Sequence, residues 1–276
     1  ELRDRLRADA STANGRPAML TDQVFGAVRE RDGNTLDDLA FRYDQTVPDP
    51  DAAARIDALI DFEGPLVGYF GKLIVEKGAE RVIEAGARLP EPARTAVIGF
   101  GRFREWLEAL VVAIDEADDD AERWLADASD MQLEFDTLPP SRGTFRARIT
   151  FTGRFDHRYA PLALAALDVQ VVPSTLVEAF GMVAAEGASA GAFPLVARHS
   201  GLAEVAGALE GAIDRPGLLS FEPGLGATAR LLAAMERILA IPPEERRELS
   251  SVLSAFVARE WTWERTAERL LAVAAR

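Results

Sequence analysis

From Pro65 onward the chain alternates short apolar runs with amphipathic, helix-like segments, and that rhythm constrains the fold more than any other feature. The runs are LVGYFG at 66–71, RTAVIGFG at 94–101, RARITFTG at 146–153, VQVVP at 169–173, AFPLVARH at 192–199 and LLSFEP at 218–223. Each is short, rich in β-branched or aromatic residues and closed by a turn or polar residue, as buried strands are. Between them AERVIEAGARL, FREWLEALVVAI, APLALAALD, FGMVAAEGASAG and GLAEVAGAL read as helices. The expectation is an α/β fold, a doubly wound parallel sheet of six strands with helices on both faces. GATARLLAAMERILA, PPEERRELSSVLSAFVARE and WTWERTAERLLAVAAR predict a carboxyl-terminal tail of three helices. Pro242 and Pro243 suit a first turn and Thr262 a cap. Trp261 and Trp263 are expected to anchor the last helix by packing.

Two stretches break the rhythm. Residues 1–62 read as a helical and irregular linker, insertion or packing appendage, with too few apolar residues to fold alone. A helix there could follow an Asn34-Thr35 cap, and DPDAAARIDALIDF could enter another through Pro48 and Pro50. DEADDDAERWLADASDMQLEFDTLPPSRGTF, 115–145, reads as a solvated elaboration containing a helix, its run from Asp115 to Asp120 a solvated face.

In doubly wound sheets ligands gather at the carboxyl ends of the strands. That edge would collect Gly71-Lys72, Gly99 to Gly101, Gly153-Arg154 and the turn from Ser174 to Gly181. Lys72 and Lys77 bracket a strand-to-helix loop, where helix amide groups favour an anion. Read alone, both lysines are equally consistent with solvated surface residues, and the spacing is not that of a nucleotide-hydrolysing P-loop. Gly99-Phe100-Gly101-Arg102-Phe103-Arg104 starts like a dinucleotide fingerprint but has Arg104 at the third glycine position, which disfavours a nicotinamide oxidoreductase. Arg102 or Arg104 could sit near the ligand edge or face water. The turn PSTLVEAFGMVAAE sets Glu178 before a helix and Glu186 about one and a half turns into it. Among Ala184, Ala185, Gly187 and Ala188, Glu186 would be a lone acid on a buried helix, which asks for a partner. A carboxylate at either position can take sugar hydroxyls, and Glu186 could take the vicinal pair of a ribose.

Composition removes several alternatives. The chain has no cysteine, so thiolate metal sites and a Cys nucleophile are out. Its two histidines, His157 and His199, read as surface or supporting residues without a triad around them. A net charge of -14 argues against nucleic acid or anionic lipid as a partner. No apolar run reaches membrane-spanning length, so no transmembrane segment and a cytoplasmic protein are expected, with peripheral membrane attachment left open for a longer protein. The composition suits a GC-rich bacterial source. The chain begins at Glu1 without an initiator Met and reads as a piece of something larger.

Together, VGYFGKLIVEKG, IGFGRFREWL, ITFTG and LDVQVVPSTLVEAFGMVAAEGASAGAFPLVARHSGLAEV resemble, in order, the blocks of the carboxyl-terminal, donor-binding domain of retaining GT-B glycosyltransferases, group 1, family four. The resemblance runs from about Pro65 to the end. It implies a Rossmann-like nucleotide-sugar-binding domain over residues 63–276, lacking the amino-terminal acceptor domain. It implies a hexosyltransferase-like reaction with a nucleotide-diphosphate sugar as donor, an unknown acceptor, no cofactor and no metal. Lys72 and Lys77 would hold the diphosphate, Glu178 the donor sugar and Glu186 the ribose, with Lys72, Lys77 and Glu178 carrying catalysis. Backbone amides at Phe180, Gly181 and Met182 would lie by the sugar phosphate, Gly153-Arg154 by the base, and Gly71, Arg102 and Ser174 beside the donor.

Departures from the family pattern are Lys72 in place of Arg, which loses bidentate contact, Ala179 in place of Gly, and one fewer glycine at His199-Ser200-Gly201. Ala179 requires a turn without positive φ at that position. Without an acceptor domain the chain is expected to bind its donor but hardly turn over. A non-catalytic or regulatory nucleotide-sugar-binding relic, or a GT-B epimerase or phosphorylase, stands as the alternative.

Overall fold

A computed structural model of the protein describes residues 1–8, 19–43, 49, 52–60, 63–142, 144–155 and 158–274. Six parallel strands form one sheet: β1 (Leu66–Lys72), β2 (Arg94–Phe100), β3 (Ile149–Gly153), β4 (Val169–Val172), β5 (Phe193–Ala197) and β6 (Ser220–Phe221), in the order β3-β2-β1-β4-β5-β6. That order reverses between β1 and β4, the switch point at which doubly wound sheets open a crevice. β1 pairs with β2 from Leu66↔Arg94 to Lys72↔Phe100, so Lys72 ends its strand level with Phe100. Alternate residues point to opposite faces. Val97 joins the larger core cluster while Ala96 and Ile98 join the smaller one on the other face.

The helices are α1 (Leu2–Ala8), α2 (Asp22–Glu30), α3 (Gly33–Tyr43), α4 (Ala52–Ile60), α5 (Ala79–Arg88), α6 (Arg104–Glu116), α7 (Asp119–Ser129), α8 (Ala160–Ala165), α9 (Met182–Ala190), α10 (Ser200–Ala212), α11 (Ala227–Leu239), α12 (Pro243–Glu260) and α13 (Trp263–Ala274). The expected strand and helix alternation is present throughout. The last two strands are shorter than their apolar runs, and residues 146–148 precede β3 in a short 3-10 turn and its cap.

The amino-terminal residues are packed into the domain rather than strung out as a linker. Val24, Ala27, Val28, Leu36 and Leu39 belong to the larger core, and Leu2, Ala52 and Ile56 to the smaller. Buried Asp49 bridges Arg55 and Arg104, each at 2.8 Å, and Arg55 donates to the Phe151 carbonyl on edge strand β3. Arg104 therefore neither faces water nor reaches the ligand edge. It is buried under this segment. Asp32, not Asn34-Thr35, caps α3, accepting from the Thr35 amide at 3.2 Å and hydroxyl at 2.7 Å. Pro48 and Pro50 lie outside the described residues, as does His157.

Within the acidic stretch Glu116, Asp119 and Asp120 are exposed, as expected of a solvated face, while two of its acids are tied down. Asp115 is buried against Arg146 at 3.0 Å, and Asp118 caps α7 through the Ala121 amide at 2.9 Å while pairing with Arg31. Farther on, Glu134 accepts the Ala227 and Thr228 amides at 2.9 and 3.0 Å, capping α11. Thr262 accepts the Arg265 amide at 3.2 Å, as expected of a cap. Trp261 packs edge-on against Phe180 and Phe256, but Trp263 is 81% exposed and anchors nothing within the described residues.

Candidate functional site

Four loops meet at the carboxyl edge of β1 to β4, and the turn after β4 dominates them. Val172 and Pro173 are buried, and Ser174 is buried behind them. Thr175, Leu176 and Val177 then project into solvent before Glu178 folds back half-buried. Gly181 takes the left-handed conformation at φ 84° and starts α9. Ala179 is not among the positive-φ residues, so the turn places its reversal where glycine stands.

α9 can lie close on the sheet because it is built of small residues. A Cβ on Gly187 would meet the Gln170 side-chain oxygen at 1.7 Å, and the Gln170 amide donates to the Val183 carbonyl at 3.0 Å. Glu186 then faces out over the crevice. It is exposed rather than buried, which corrects the expectation of a lone acid in a packed helix. Its position still explains an acid there, because it lines the crevice wall.

That crevice is a recess of about 200 Å³ lined by Phe70, Gly71, Lys72, Phe100, Arg154 and Glu186, with Phe155 and Ala160 among its further walls. Arg154 lies over the Phe100 ring at 5.1 Å, within the range where a guanidinium and a ring face attract. Beneath the rim, the buried Tyr69 hydroxyl donates to the Lys72 carbonyl at 2.8 Å and fixes the strand end that carries the lysine. Burial, then the charges of Glu80 and Glu178, push that phenol well above its ordinary range, so it stays a donor.

Beside the recess, the loop after β1 makes a 3-10 turn, Val75–Lys77, ended by Gly78 in the left-handed conformation. The Lys77 ammonium forms an ion pair with Glu178 Oε1. The same carboxylate oxygen accepts from the Ser174 hydroxyl at 3.1 Å. Partial burial raises the Glu178 carboxyl. The Lys77 hydrogen bond and charge, the Ser174 hydroxyl and nearby His199 outweigh it and hold the group below its ordinary value. Glu178 is thus a carboxylate at neutral pH, and Lys77 is a partly exposed cation held in place by it.

Of the residues singled out from the sequence, the structure brings Gly71, Lys72, Arg154 and Glu186 together in one recess, and Lys77, Ser174 and Glu178 into the adjoining hydrogen-bonded group. Phe180 and Met182 line a neighbouring groove of about 500 Å³ that shares the Glu186 wall. Gly153 is covered by Asp49, whose carboxyl carbon lies 2.7 Å from where a Cβ would stand. Arg102 is not in the recess: its guanidinium lies over the Phe41 ring at 5.6 Å. Tyr69, Phe70 and Phe155 escaped the sequence reading, because they looked like ordinary strand or loop aromatics.

Residues 154–270 match the model of the Family 4 Glycosyltransferase in conflict systems. No curated protein sequence matches the chain. Among solved structures, HepE of Anabaena in complex with UDP-glucose superposes with a TM-score of 0.55 at 17% identity, over 82% of this chain and 52% of that one. Sucrose-phosphate synthase of Thermosynechococcus elongatus gives 0.54 at 24% identity, over 83% and 48%. The carboxyl-terminal domain of a glycosyl transferase group 1 family protein from Francisella tularensis gives 0.50 at 17% identity, over 76% and 93%. The chain spans about half the length of the first two. Fold and family match together support a GT-B glycosyltransferase domain of the group 1 type.

Proposed function

We propose that this domain, of the GT-B group 1 type, is the donor-binding half of a retaining glycosyltransferase that takes a nucleotide-diphosphate sugar. The observation that carries the reading is the Lys77–Glu178 pair standing beside a recess that holds Lys72 and Glu186 at the sheet's switch point. A pyrophosphate arriving there is a stronger partner for Lys77 than a carboxylate, since it brings more charge and more acceptor oxygens. Glu178, released from the lysine, is left with an acceptor-only carboxylate suited to sugar hydroxyls. Glu186 takes the ribose hydroxyls, and the aromatic-walled recess with Arg154 takes the base. That HepE was solved with UDP-glucose supports a nucleotide sugar as the ligand class.

In this scheme Lys72, Lys77 and the amino terminus of α9 neutralise the leaving diphosphate as the glycosidic bond breaks. Fixed positive charge in a recess stabilises developing negative charge without reorganising, and this is the main catalytic contribution of the half. The chemistry asks for no metal. The acceptor and the rest of the cleft come from another domain, so the chain alone binds donor and turns over slowly or not at all.

Calorimetry in the presence of EDTA tests the reading. UDP or GDP, free or sugar-linked, should bind at millimolar concentration or better. Absence of any heat from all of them at millimolar concentration overturns it.

A further inference from the structure

We propose that His199 is a positioning residue for the donor sugar: with Ser200 it clamps the Glu178 turn onto the start of α10 and fixes where the Glu178 carboxylate stands. The role assigned to the carboxylate rests on the donor-site reading above. The clamp itself rests on hydrogen-bond geometry.

His199 Nε2 lies 2.7 Å from the Ser174 carbonyl oxygen. A carbonyl can only accept, so Nε2 carries the proton. In the neutral ring Nδ1 is then an acceptor, and the Ser200 hydroxyl, at 3.0 Å, donates to it. The same hydroxyl oxygen accepts the Glu178 amide at 3.1 Å. The bonds run in one direction, from Glu178 N–H to Ser200 Oγ–H to His199 Nδ1, and from His199 Nε2–H to the Ser174 carbonyl. The Ser174 hydroxyl closes the circuit by donating to Glu178 Oε1 at 3.1 Å. One imidazole therefore ties together the two residues that set the carboxylate.

The neighbouring backbone supports the same clamp. The Gly201 amide donates to the Glu178 carbonyl at 2.9 Å. A Cβ on Gly201 would stand 2.6 Å from the Ala179 carbonyl, so the two backbones lie flush. Ser200 adopts φ 46°, a left-handed conformation that costs a non-glycine residue free energy and persists only where its surroundings hold it. Core packing holds the two ends of this turn but not its middle. Thr175, Leu176 and Val177 are exposed, Val177 at 88%. Besides the Lys77–Glu178 pair, the Thr175 amide and hydroxyl donate to the Glu76 carbonyl at 2.8 and 3.0 Å and fix the turn to the lysine loop. His199 thus fixes the side away from the lysines.

The test has a ligand-free arm and a ligand arm. Ring-nitrogen NMR of the labelled protein, at a pH where His199 is neutral, should report the Nε2–H tautomer; the Nδ1–H tautomer overturns the proposal. In His199→Ala, the Glu178 and Gly201 amides should exchange with solvent at least tenfold faster than in the parent, and unchanged exchange overturns the clamp. Calorimetry then compares UDP with UDP-glucose. His199→Ala should keep UDP affinity within about twofold and weaken UDP-glucose about tenfold. His199→Gln, whose amide can still reach the Ser174 carbonyl, should recover part of that loss. An equal loss for both ligands, or none for either, contradicts a positioning role. If the parent protein binds neither nucleotide, the donor-site reading fails, and the tautomer and exchange measurements still decide the clamp.

Discussion

Lys77 and Glu178 form the residue pair on which the proposed function turns, and they should separate cleanly in mutants. Both side chains are partly exposed, so their ion pair adds little to stability. Lys77→Ala and Glu178→Ala should each leave Tm within a few degrees of the parent. Lys77→Ala removes a charge-assisted bond to phosphate worth about 1.5–3 kcal/mol and should weaken UDP about 10- to 100-fold in calorimetry. Glu178→Ala should instead leave UDP binding intact or slightly tighter, because it removes the competitor for Lys77, while sugar-linked UDP loses affinity. The turn that carries Glu178 and Glu186 was legible in the sequence because its spacing is local, whereas Lys72 and Lys77 stood out only through the family resemblance. The pairing of lysine with glutamate was not legible, since 101 positions separate Lys77 from Glu178 and nothing local specifies that contact. The placement of Arg102 over Phe41 was hidden for the same reason, since Phe41 belongs to a helix that precedes the sheet.

Among the elements, α5 carries the least expected chemistry. Glu80 and Glu84 are fully buried on it, and burial pushes their carboxyls up to about 7 and about 8. Glu122 of α7 is raised to about 7 by the same cause. Each folded value lies above the unfolded one near 4.5. Their contribution is therefore fully present at low pH and is lost as pH rises through the folded values. Thermal unfolding should show Tm falling between about pH 5 and pH 8. Glu84→Gln, which copies the protonated carboxyl, should flatten that slope. A slope unchanged by the substitution would mean the acid is ionised in the fold.

The strands were readable from their β-branched runs, and most helices from their apolar spacing. Elements whose role depends on distant partners were not. Glu134 looks like one more acid in a charged stretch until its carboxylate is seen capping α11 more than ninety residues on.

For the whole molecule, the open question from sequence was whether residues 1–62 belong to the domain. Their helices bury Val24, Val28, Leu36 and Leu39 in its core, and Asp49 bridges Arg55 and Arg104 there. Asp49→Ala would strand buried cations and should cost on the order of 3 kcal/mol or more, read by urea unfolding. A change within experimental error would mean that the segment is an appendage. The sparse apolar content of residues 1–62 hid this, because a few leucines and valines on one face of each helix suffice to dock on an existing core.

The central claim is that a pyrophosphate takes Lys77 from Glu178 at the switch point of the sheet. A crystal structure with UDP-glucose tests it most directly. The claim predicts a phosphate oxygen within hydrogen-bond distance of Lys77 Nζ, and the Glu178 carboxylate turned onto the sugar hydroxyls. Nucleotide bound away from the recess, or bound there with the Lys77–Glu178 pair intact, would contradict it.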